Sequence, residues 1–135
     1  MYLDDYKRWM EADLEDAALK TELESIEGNE EEIKDRFAVS LAFGTAGLRG
    51  VLGAGTNRMN IYTVGQASQG LAAYVNSVTP NGKIAIAYDS RIKSDVFARA
   101  AAAIFAANGI KVYIYKELMP TPMLSFAVRR LGCDA

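Results

Sequence analysis

Apolar residues recur every three or four positions through the first part of the chain, which is the spacing of one helix face. The residues that share this spacing are Leu3, Tyr6, Met10, Leu14, Ala17 and Ala18. No proline or glycine interrupts them, so they predict one helix from Leu3 to about Ile26 that stops at Gly28-Asn29. A second, short acidic helix is predicted from about Glu30 to Phe37. We expect this N-terminal helical arm to serve packing.

A second helical pattern follows Asn60, a residue type that caps helices well. It predicts a helix to about Val78 with an apolar face that comprises Val64, Ala67, Leu71, Tyr74, Val75 and Val78. Gly65 and Gly70 lie inside this pattern, and each costs about 1 kcal/mol relative to alanine in a helix. Their presence indicates close backbone packing against the helix.

The pattern from residue 84 onward predicts a β-α-β unit. Ile84 to Tyr88 is a short apolar run, typical of a strand buried on both faces. Ser94 is predicted to cap a helix that runs to about Asn108 and ends at Gly109. Its inward residues are Phe97, Ala101, Ile104 and Phe105. Lys111 to Tyr115 is predicted as a second strand, parallel to the first, with a right-handed crossover.

A last helix is predicted with Thr121 as its N-cap, Pro122 at the first helical position and Gly132 at its end. Met123, Phe126, Ala127 and Leu131 should face the sheet. An alternating α/β fold would continue with a strand, and none follows in the sequence. We therefore expect a domain that is one strand short, with an open sheet edge through which the chain self-associates.

Together these elements predict an α/β fold, specifically a three-layer α/β/α domain with a mixed, mostly parallel sheet, preceded by the helical arm. Residues 1–37 are assigned to the arm and residues 38–135 to the domain. Leu48 to Leu52 are predicted to supply one more strand of the sheet.

Charge is distributed unevenly along the chain. The net charge is −2 over 135 residues, yet residues 1–35 hold 13 acidic and 4 basic side chains, whereas residues 36–135 hold 4 acidic and 11 basic ones. A basic domain favours anionic ligands such as phosphates, although a solvated acidic helix beside a mildly basic domain explains the same numbers. Apart from the adjacent Arg129 and Arg130, the basic residues of this domain are scattered singly, so we expect no nucleic-acid partner.

The composition also bears on the compartment. No apolar run approaches the roughly 20 residues that cross a bilayer. The first ten residues include four charged ones, where a secretory signal would have its apolar stretch. The single cysteine, Cys133, has no partner for an internal disulfide. These features predict a cytoplasmic protein without a membrane partner.

The glycine-rich segment from Phe43 to Gly55 has a composition suited to anion binding. Gly44, Gly47 and Gly50 permit close backbone approach, Thr45 offers a hydroxyl group, and Arg49 offers a planar fork that matches phosphate oxygens. By itself the segment fits a turn that enters a strand equally well.

The remaining polar residues do not complete an active site. The chain has no histidine, which excludes Ser-His and Cys-His nucleophiles. The carboxylates after Asp35 lack the spacing of a Mg²⁺ site; they are Asp89, Asp95, Glu117 and Asp134. Asp89 and Arg91 are interpreted as a structural ion pair, and Cys133 as a core residue.

The run Phe43-Gly44-Thr45-Ala46-Gly47-Leu48-Arg49-Gly50 resembles the N-terminal signature of the α-D-phosphohexomutase superfamily of phosphoglucomutases and phosphomannomutases. Three further landmarks follow in the expected order: Arg58-Met59-Asn60, Ala87 to Arg91, and Pro120-Thr121-Pro122. The resemblance covers roughly Phe43 to Ala135 and identifies the chain as the first domain of such an enzyme.

The resemblance implies a four-domain, Mg²⁺-dependent enzyme that moves a phosphoryl group between the 1- and 6-positions of hexose phosphates through a phosphoserine and a bisphosphate intermediate. It implies that the serine loop and the Mg²⁺ ligands lie outside this chain, which by itself should be inactive, and that a glucose 1,6-bisphosphate-type activator acts on the full enzyme. Arg49 would steady phosphoryl charge, with Thr45 in support. Gly44, Gly47 and Gly50 would shape the phosphate-binding turn. Arg91 is also placed among the phosphate-binding candidates, although the family arginine that it matches would be mainly structural.

Three alternatives stay open at this point. In the first, the enzyme would be a phosphopentomutase-like member of the same family, and the residues that discriminate between the sugars would lie in the third domain of the enzyme. The chain is a stand-alone α/β phosphate-binding or receiver-like module, or it is a folding unit that pairs with itself.

Overall fold

A computed structural model describes residues 1–45 and 47–135. Contacts within the chain divide it into two compact units, Met1–Thr63 and Val64–Ala135. The boundary predicted between residues 37 and 38 stays a prediction.

The first unit begins with three helices, α1 (Tyr2–Glu11), α2 (Ala17–Ser25) and α3 (Glu30–Phe37). The prediction of one continuous helix from Leu3 to Ile26 is therefore wrong. The break has a local cause, because the side chain of Asp16 caps α2 by accepting a hydrogen bond from the Ala18 N–H. The predicted stop at Gly28 and the bounds of α3 are confirmed, with Gly28 at φ +80°.

The break between α1 and α2 lets both helices contribute to one apolar cluster. Its buried members are Tyr6, Leu19, Leu23, Ile26, Ile33, Phe37 and Ala54. The Trp9 ring meets the rings of Phe37 and Tyr62 edge to face, at centroid distances of 5.8 and 5.4 Å. Ala54 lies well beyond the helices in sequence, so the arm shares its core with the glycine-rich segment.

That segment contains two short strands, β1 (Phe43–Gly44) and β2 (Gly47–Leu48), which pair with each other. The prediction of a strand from Leu48 to Leu52 in the main sheet is wrong. Within the described residues, Leu52 makes only an isolated bridge to Met59.

Helix α4 (Ile61–Val78) begins directly after Asn60, as predicted. Its predicted apolar face is partly wrong, because Leu71, Tyr74 and Val78 are exposed. The buried residues of its second half are Ala72 and Val75, which pack with Ile84, Phe105 and Ile110. The two glycines also do not mark close packing, since a β-carbon at Gly65 or Gly70 would meet nothing within 4 Å.

The β-α-β unit consists of β3 (Lys83–Ile86), α5 (Ser94–Ala107) and β4 (Lys111–Ile114). The two strands are parallel, as predicted, with Lys83 opposite Lys111 and Ile86 opposite Ile114. Gly109 adopts φ +76° after α5, which confirms its role as the helix stop.

Two predicted helix caps are shifted by one residue. Lys93, at φ +63°, is the N-cap of α5, and Ser94 is the first helical residue. Helix α6 (Thr121–Leu131) is preceded by Pro120 as its N-cap, so Thr121 is the first helical residue rather than the cap. The stop at Gly132, with φ +62°, is confirmed.

Helix α6 covers β3 with a narrower face than the sequence pattern predicts. Ala127 is buried, whereas Phe126 is 52% exposed. The chain then returns to β3: the Asp134 N–H donates to the Lys83 carbonyl at 2.8 Å, and the Ala85 N–H donates to the Ala135 carbonyl at 2.9 Å. The last two residues therefore lie along β3 in the direction of that strand. Self-association through a sheet edge stays a prediction.

Candidate functional site

The glycine-rich segment forms a tight hairpin. Phe43 lies opposite Leu48 and Gly44 opposite Gly47 in an antiparallel pair. Gly47 has φ +112°, a conformation that residues with a β-carbon rarely adopt. The hairpin therefore requires glycine at position 47. Ala46, which is part of the sequence signature, lies outside the described residues.

Arg49 follows β2 directly and is exposed. In the part of the chain that the structure describes, its guanidinium makes no hydrogen bond and no ion pair. Thr45 is also exposed. Because the guanidinium is not engaged by described protein groups, Arg49 is free to bind an anion with both of its terminal nitrogens.

Gly50 allows a side chain to pack on the backbone next to Arg49. A β-carbon at position 50 would fall 2.6 Å from Leu41 Cδ1 and 3.5 Å from Met59 Cγ. A larger residue would push the leucine side chain away or displace the backbone that carries Arg49.

Hydrogen bonds close the base of the hairpin on both sides. The Leu41 N–H donates to the Thr56 carbonyl, and the Met59 N–H donates to the Val51 carbonyl, each at 2.8 Å. The Gly53 N–H donates to the Met59 carbonyl at 3.2 Å. Residues 42–50 are here called the signature loop. The residues directly before and after it, Leu41 and Val51, are therefore both fixed by backbone hydrogen bonds. The five site residues predicted in this segment all lie on this loop; they are Gly44, Thr45, Gly47, Arg49 and Gly50.

Arg58, the first residue of the second sequence landmark, turns away from solvent and contacts the carboxylate of Asp35 on α3. The hydrogen bond from Arg58 and its charge lower the pKa of Asp35 below the ordinary value of 3.8. The Asn57 side-chain amide donates to the Asp35 carbonyl at 2.9 Å. Arg58 therefore fastens the segment after the signature loop to the helical arm.

Asn60 has two roles, and the sequence predicted only the first of them, the cap of α4. Its Oδ1 caps α4 by accepting hydrogen bonds from the N–H groups of Tyr62 and Thr63, at 3.1 and 3.0 Å. Its Nδ2 donates to the carbonyls of Gly53 and Gly55, at 2.8 and 3.0 Å. The second role could have been inferred from the residue type, because asparagine carries an NH2 donor group that a serine cap lacks.

Arg91 lies in the second unit, in the loop after β3. Its guanidinium is 82% exposed and pairs with Asp89 at 3.3 Å. Asp89 also accepts from the Arg91 N–H at 3.0 Å, and its own N–H donates to Ser94 Oγ at 3.3 Å. The hydrogen bond from the Arg91 backbone is the main cause that lowers the pKa of Asp89. These contacts stabilise the loop, and the role of Arg91 toward phosphate stays a prediction.

The described acidic side chains do not cluster into a site that would hold Mg²⁺ by protein ligands alone. Among residues 1–45 and 47–135, no three acidic or cysteine side chains converge as a metal site would require. Burial is the main cause that raises the pKa of the Cys133 thiol, which disfavours the thiolate that a nucleophile or a metal ligand needs.

In the described residues, no helix combines the length and the apolar character that crossing a bilayer requires.

Comparison with known protein families gives one match that covers most of the chain. The sequence profile described as "Phosphoglucomutase/phosphomannomutase, alpha/beta/alpha domain I" matches residues 40–135. The matched range contains the signature loop, Arg58, Asn60 and Arg91. It agrees with the predicted α/β/α fold class and with the parallel β3–β4 pair.

Curated relatives carry related names. The chain is 46% identical to a "Probable phosphoribomutase" of Schizosaccharomyces pombe over 98 residues, which cover 70% of this chain and 17% of the relative. It is 41% identical to a "Phosphopentomutase" of Pongo abelii over 114 residues, covering 78% of this chain and 19% of the relative. A "Phosphoglucomutase" of Staphylococcus aureus (strain bovine RF122 / ET3-1) is 40% identical over 131 residues, covering 97% of this chain and 23% of the relative.

The chain thus spans about a fifth of the length of the curated relatives it matches. No solved structure matches it with significance.

Proposed function

Because the chain belongs to the phosphoglucomutase/phosphomannomutase domain I family, we propose that it serves as the first domain of a sugar-phosphate mutase. The proposed reaction is phosphoryl exchange between the 1- and 6-positions of a hexose phosphate. A phosphoserine donates its phosphoryl group to a hexose monophosphate, and the bisphosphate intermediate returns its other phosphoryl group to the serine. No serine of residues 1–135 is assigned that role.

Arg49 is the residue of this chain that we assign to the chemistry. Phosphoryl transfer depends on positioning and on neutralisation of the charge on the transferred group. The exposed guanidinium, which has no partner among the described residues, supports this assignment. Thr45, on the same loop, would donate a hydrogen bond to a phosphate oxygen, and the three glycines would let the backbone approach it.

We assign no step to a Mg²⁺ ion held by this chain, since no three acidic or cysteine side chains of the described residues converge. We propose that the Mg²⁺ ligands of the enzyme and the site of a glucose 1,6-bisphosphate-type activator lie outside this chain. We further propose that the substrate is a hexose phosphate and that the enzyme is cytoplasmic. The proposal includes no nucleic-acid partner and no membrane partner.

A phosphopentomutase is the second candidate, because two of the compared relatives carry the names phosphoribomutase and phosphopentomutase. Activity should be measured on the whole protein that contains this chain, with glucose 1-phosphate, mannose 1-phosphate and ribose 1-phosphate in parallel. A preference for either hexose phosphate supports the first candidate, and a preference for the pentose phosphate supports the second. Phosphate binding without turnover of any of the three would favour the binding-module alternative.

A further inference from the structure

Two side chains of the helical arm hold the backbone just beyond the signature loop. Glu22 Oε2 accepts a hydrogen bond from the Ala54 N–H at 2.9 Å, and Arg36 Nη1 donates to the Ala54 carbonyl at 3.3 Å. Arg36 Nη1 also binds Glu22 Oε1. Both backbone polar groups of the fully buried Ala54 are therefore bound by this pair.

The arginine of this pair is largely shielded from water, whereas the Glu22 side chain is 30% exposed. The Arg36 side chain is only 13% exposed, and its Nε donates to Glu32 Oε2 at 3.2 Å on the more exposed side. Burial disfavours the charge of Arg36, yet the hydrogen bonds to Glu22 and Glu32 outweigh burial and raise its pKa above the ordinary value. A planar guanidinium that binds several acceptors at once resists rotation.

The contacts continue from Ala54 to both ends of the signature loop. On one side, Gly53 is bonded to Met59, which is bonded in turn to Val51, the residue after the loop. On the other side, the Arg36 carbonyl accepts from the Asn57 N–H at 2.9 Å, next to Thr56, whose carbonyl holds Leu41. The arm is thus connected to both tethers of the loop that carries Arg49.

We propose that Glu22 and Arg36 are positioning residues for Arg49: by fixing Ala54 they hold the base of the signature loop, so that the Arg49 guanidinium meets the phosphoryl group in one geometry. The proposal deepens the proposed function and rests on it. It also gives the acidic arm a part in the reaction, beyond the packing that its sequence predicts.

The test compares Glu22→Ala with Glu32→Ala in the whole protein that contains this chain. Both variants remove one carboxylate partner of Arg36, but only Glu22 contacts Ala54, so Glu32→Ala is the matched control. Glu22→Gln is measured if Glu22→Ala fails to fold: with its oxygen on the Ala54 N–H it turns an NH2 group toward Arg36 Nη1, so it should show the same two effects at smaller size. Two readouts are taken: hydrogen exchange of the amides of residues 47–54, and kcat and KM with the preferred sugar phosphate.

We expect Glu22→Ala to speed exchange of these amides and to lower kcat on the order of 10-fold, with KM within about 2-fold, because a displaced catalytic group costs rate more than binding. Glu32→Ala should stay within about 2-fold of the wild type in both readouts. Faster exchange with an unchanged kcat would overturn the positioning role, and so would unchanged exchange. If the wild type has no mutase activity, the proposed function fails, and exchange still decides whether the pair holds the loop.

Discussion

The carbonyl oxygen of Arg36 lies 2.7 Å from the position that a β-carbon at Gly55 would occupy. Gly55 also has φ +127°, which residues with a side chain rarely adopt. The carbonyl has little freedom to retreat, because it accepts a hydrogen bond from the Asn57 N–H. Glycine at position 55 is therefore required by the contact between α3 and the segment after the signature loop.

Gly55→Ala should lower the free energy of unfolding by about 2 kcal/mol or more, since it adds a close contact to backbone strain. Gly28→Ala is the matched control, because Gly28 also has positive φ but a β-carbon there would meet nothing within 4 Å. The control should cost only about 1 kcal/mol, the strain alone. Urea unfolding measures both, and equal losses would show that the contact with Arg36 contributes nothing.

Asn60→Asp separates the two roles of Asn60. Aspartate keeps the oxygen that caps α4, but it replaces the amide nitrogen with a second oxygen that faces the carbonyls of Gly53 and Gly55. We expect a loss of about 2 to 3 kcal/mol in unfolding free energy, because buried acceptors then face each other.

The control is Asn29→Asp at the N-cap of α3, where the side-chain oxygen accepts from the Glu32 N–H and the site is exposed. That change should stay within about 0.5 kcal/mol of the wild type. An equally mild effect of Asn60→Asp would mean that the Asn60 amide is dispensable.

The Asp35–Arg58 contact should make the stability of the fold depend on pH in the acidic range. The pKa of Asp35 is lower in the folded chain than its ordinary value of 3.8, so the contact stabilises the fold fully above that value. The stabilisation is lost as pH falls through the lower, folded-state pKa. Thermal unfolding followed from neutral pH to below pH 3.8 should therefore show a smaller loss of Tm in Asp35→Asn than in the wild type.

Asp13→Asn provides the comparison, because Asp13 is exposed and makes no ion pair among the described residues. It should follow the wild-type profile. If Asp35→Asn follows that profile too, the contact with Arg58 does not contribute to stability.

Arg49→Ala in the whole enzyme should cut kcat on the order of 10²-fold or more, the effect of losing one donor that stabilises charge in the transition state. Because Arg49 is exposed, the substitution should change the free energy of unfolding of the protein by no more than about 0.5 kcal/mol. Arg99→Ala on α5 removes the same charge from another exposed position and should leave kcat unchanged. Steady-state kinetics with wild-type kcat for Arg49→Ala would remove Arg49 from the site.

The 135-residue chain by itself should show only background in a coupled mutase assay, since none of its serines is assigned the phosphoryl group. The assay needs the whole protein as its positive control. Turnover above background that co-purifies with the chain would place the complete reaction within these residues.

Much of the local structure was predictable. Gly28, Gly109 and Gly132 end helices as predicted, because a positive φ is accessible to glycine and stops helix propagation. The short apolar runs that became β3 and β4 were found, although each strand is shorter than predicted. The errors lie where two local signals compete: Asp16 capped a new helix in the middle of a helical pattern.

The residues of the candidate site also divide into those that the sequence suggested and those that only the structure revealed. Arg49, Thr45 and the glycines were recognisable from the residues, because the signature is contiguous. Glu22 and Arg36 were missed, since neither stands in a motif and each meets Ala54 only across a long stretch of chain, 32 and 18 residues away.

The sequence by itself determined where helices stop, which short runs become parallel strands, and which glycine-rich segment carries the candidate arginine Arg49. These depend on backbone preferences and side chains within a few residues of each other. Only the tertiary structure decided that Leu71 and Tyr74 stay exposed while Ala72 is buried, and that the acidic arm binds Ala54. Such choices depend on which distant elements meet and exclude water together, and no local pattern records that.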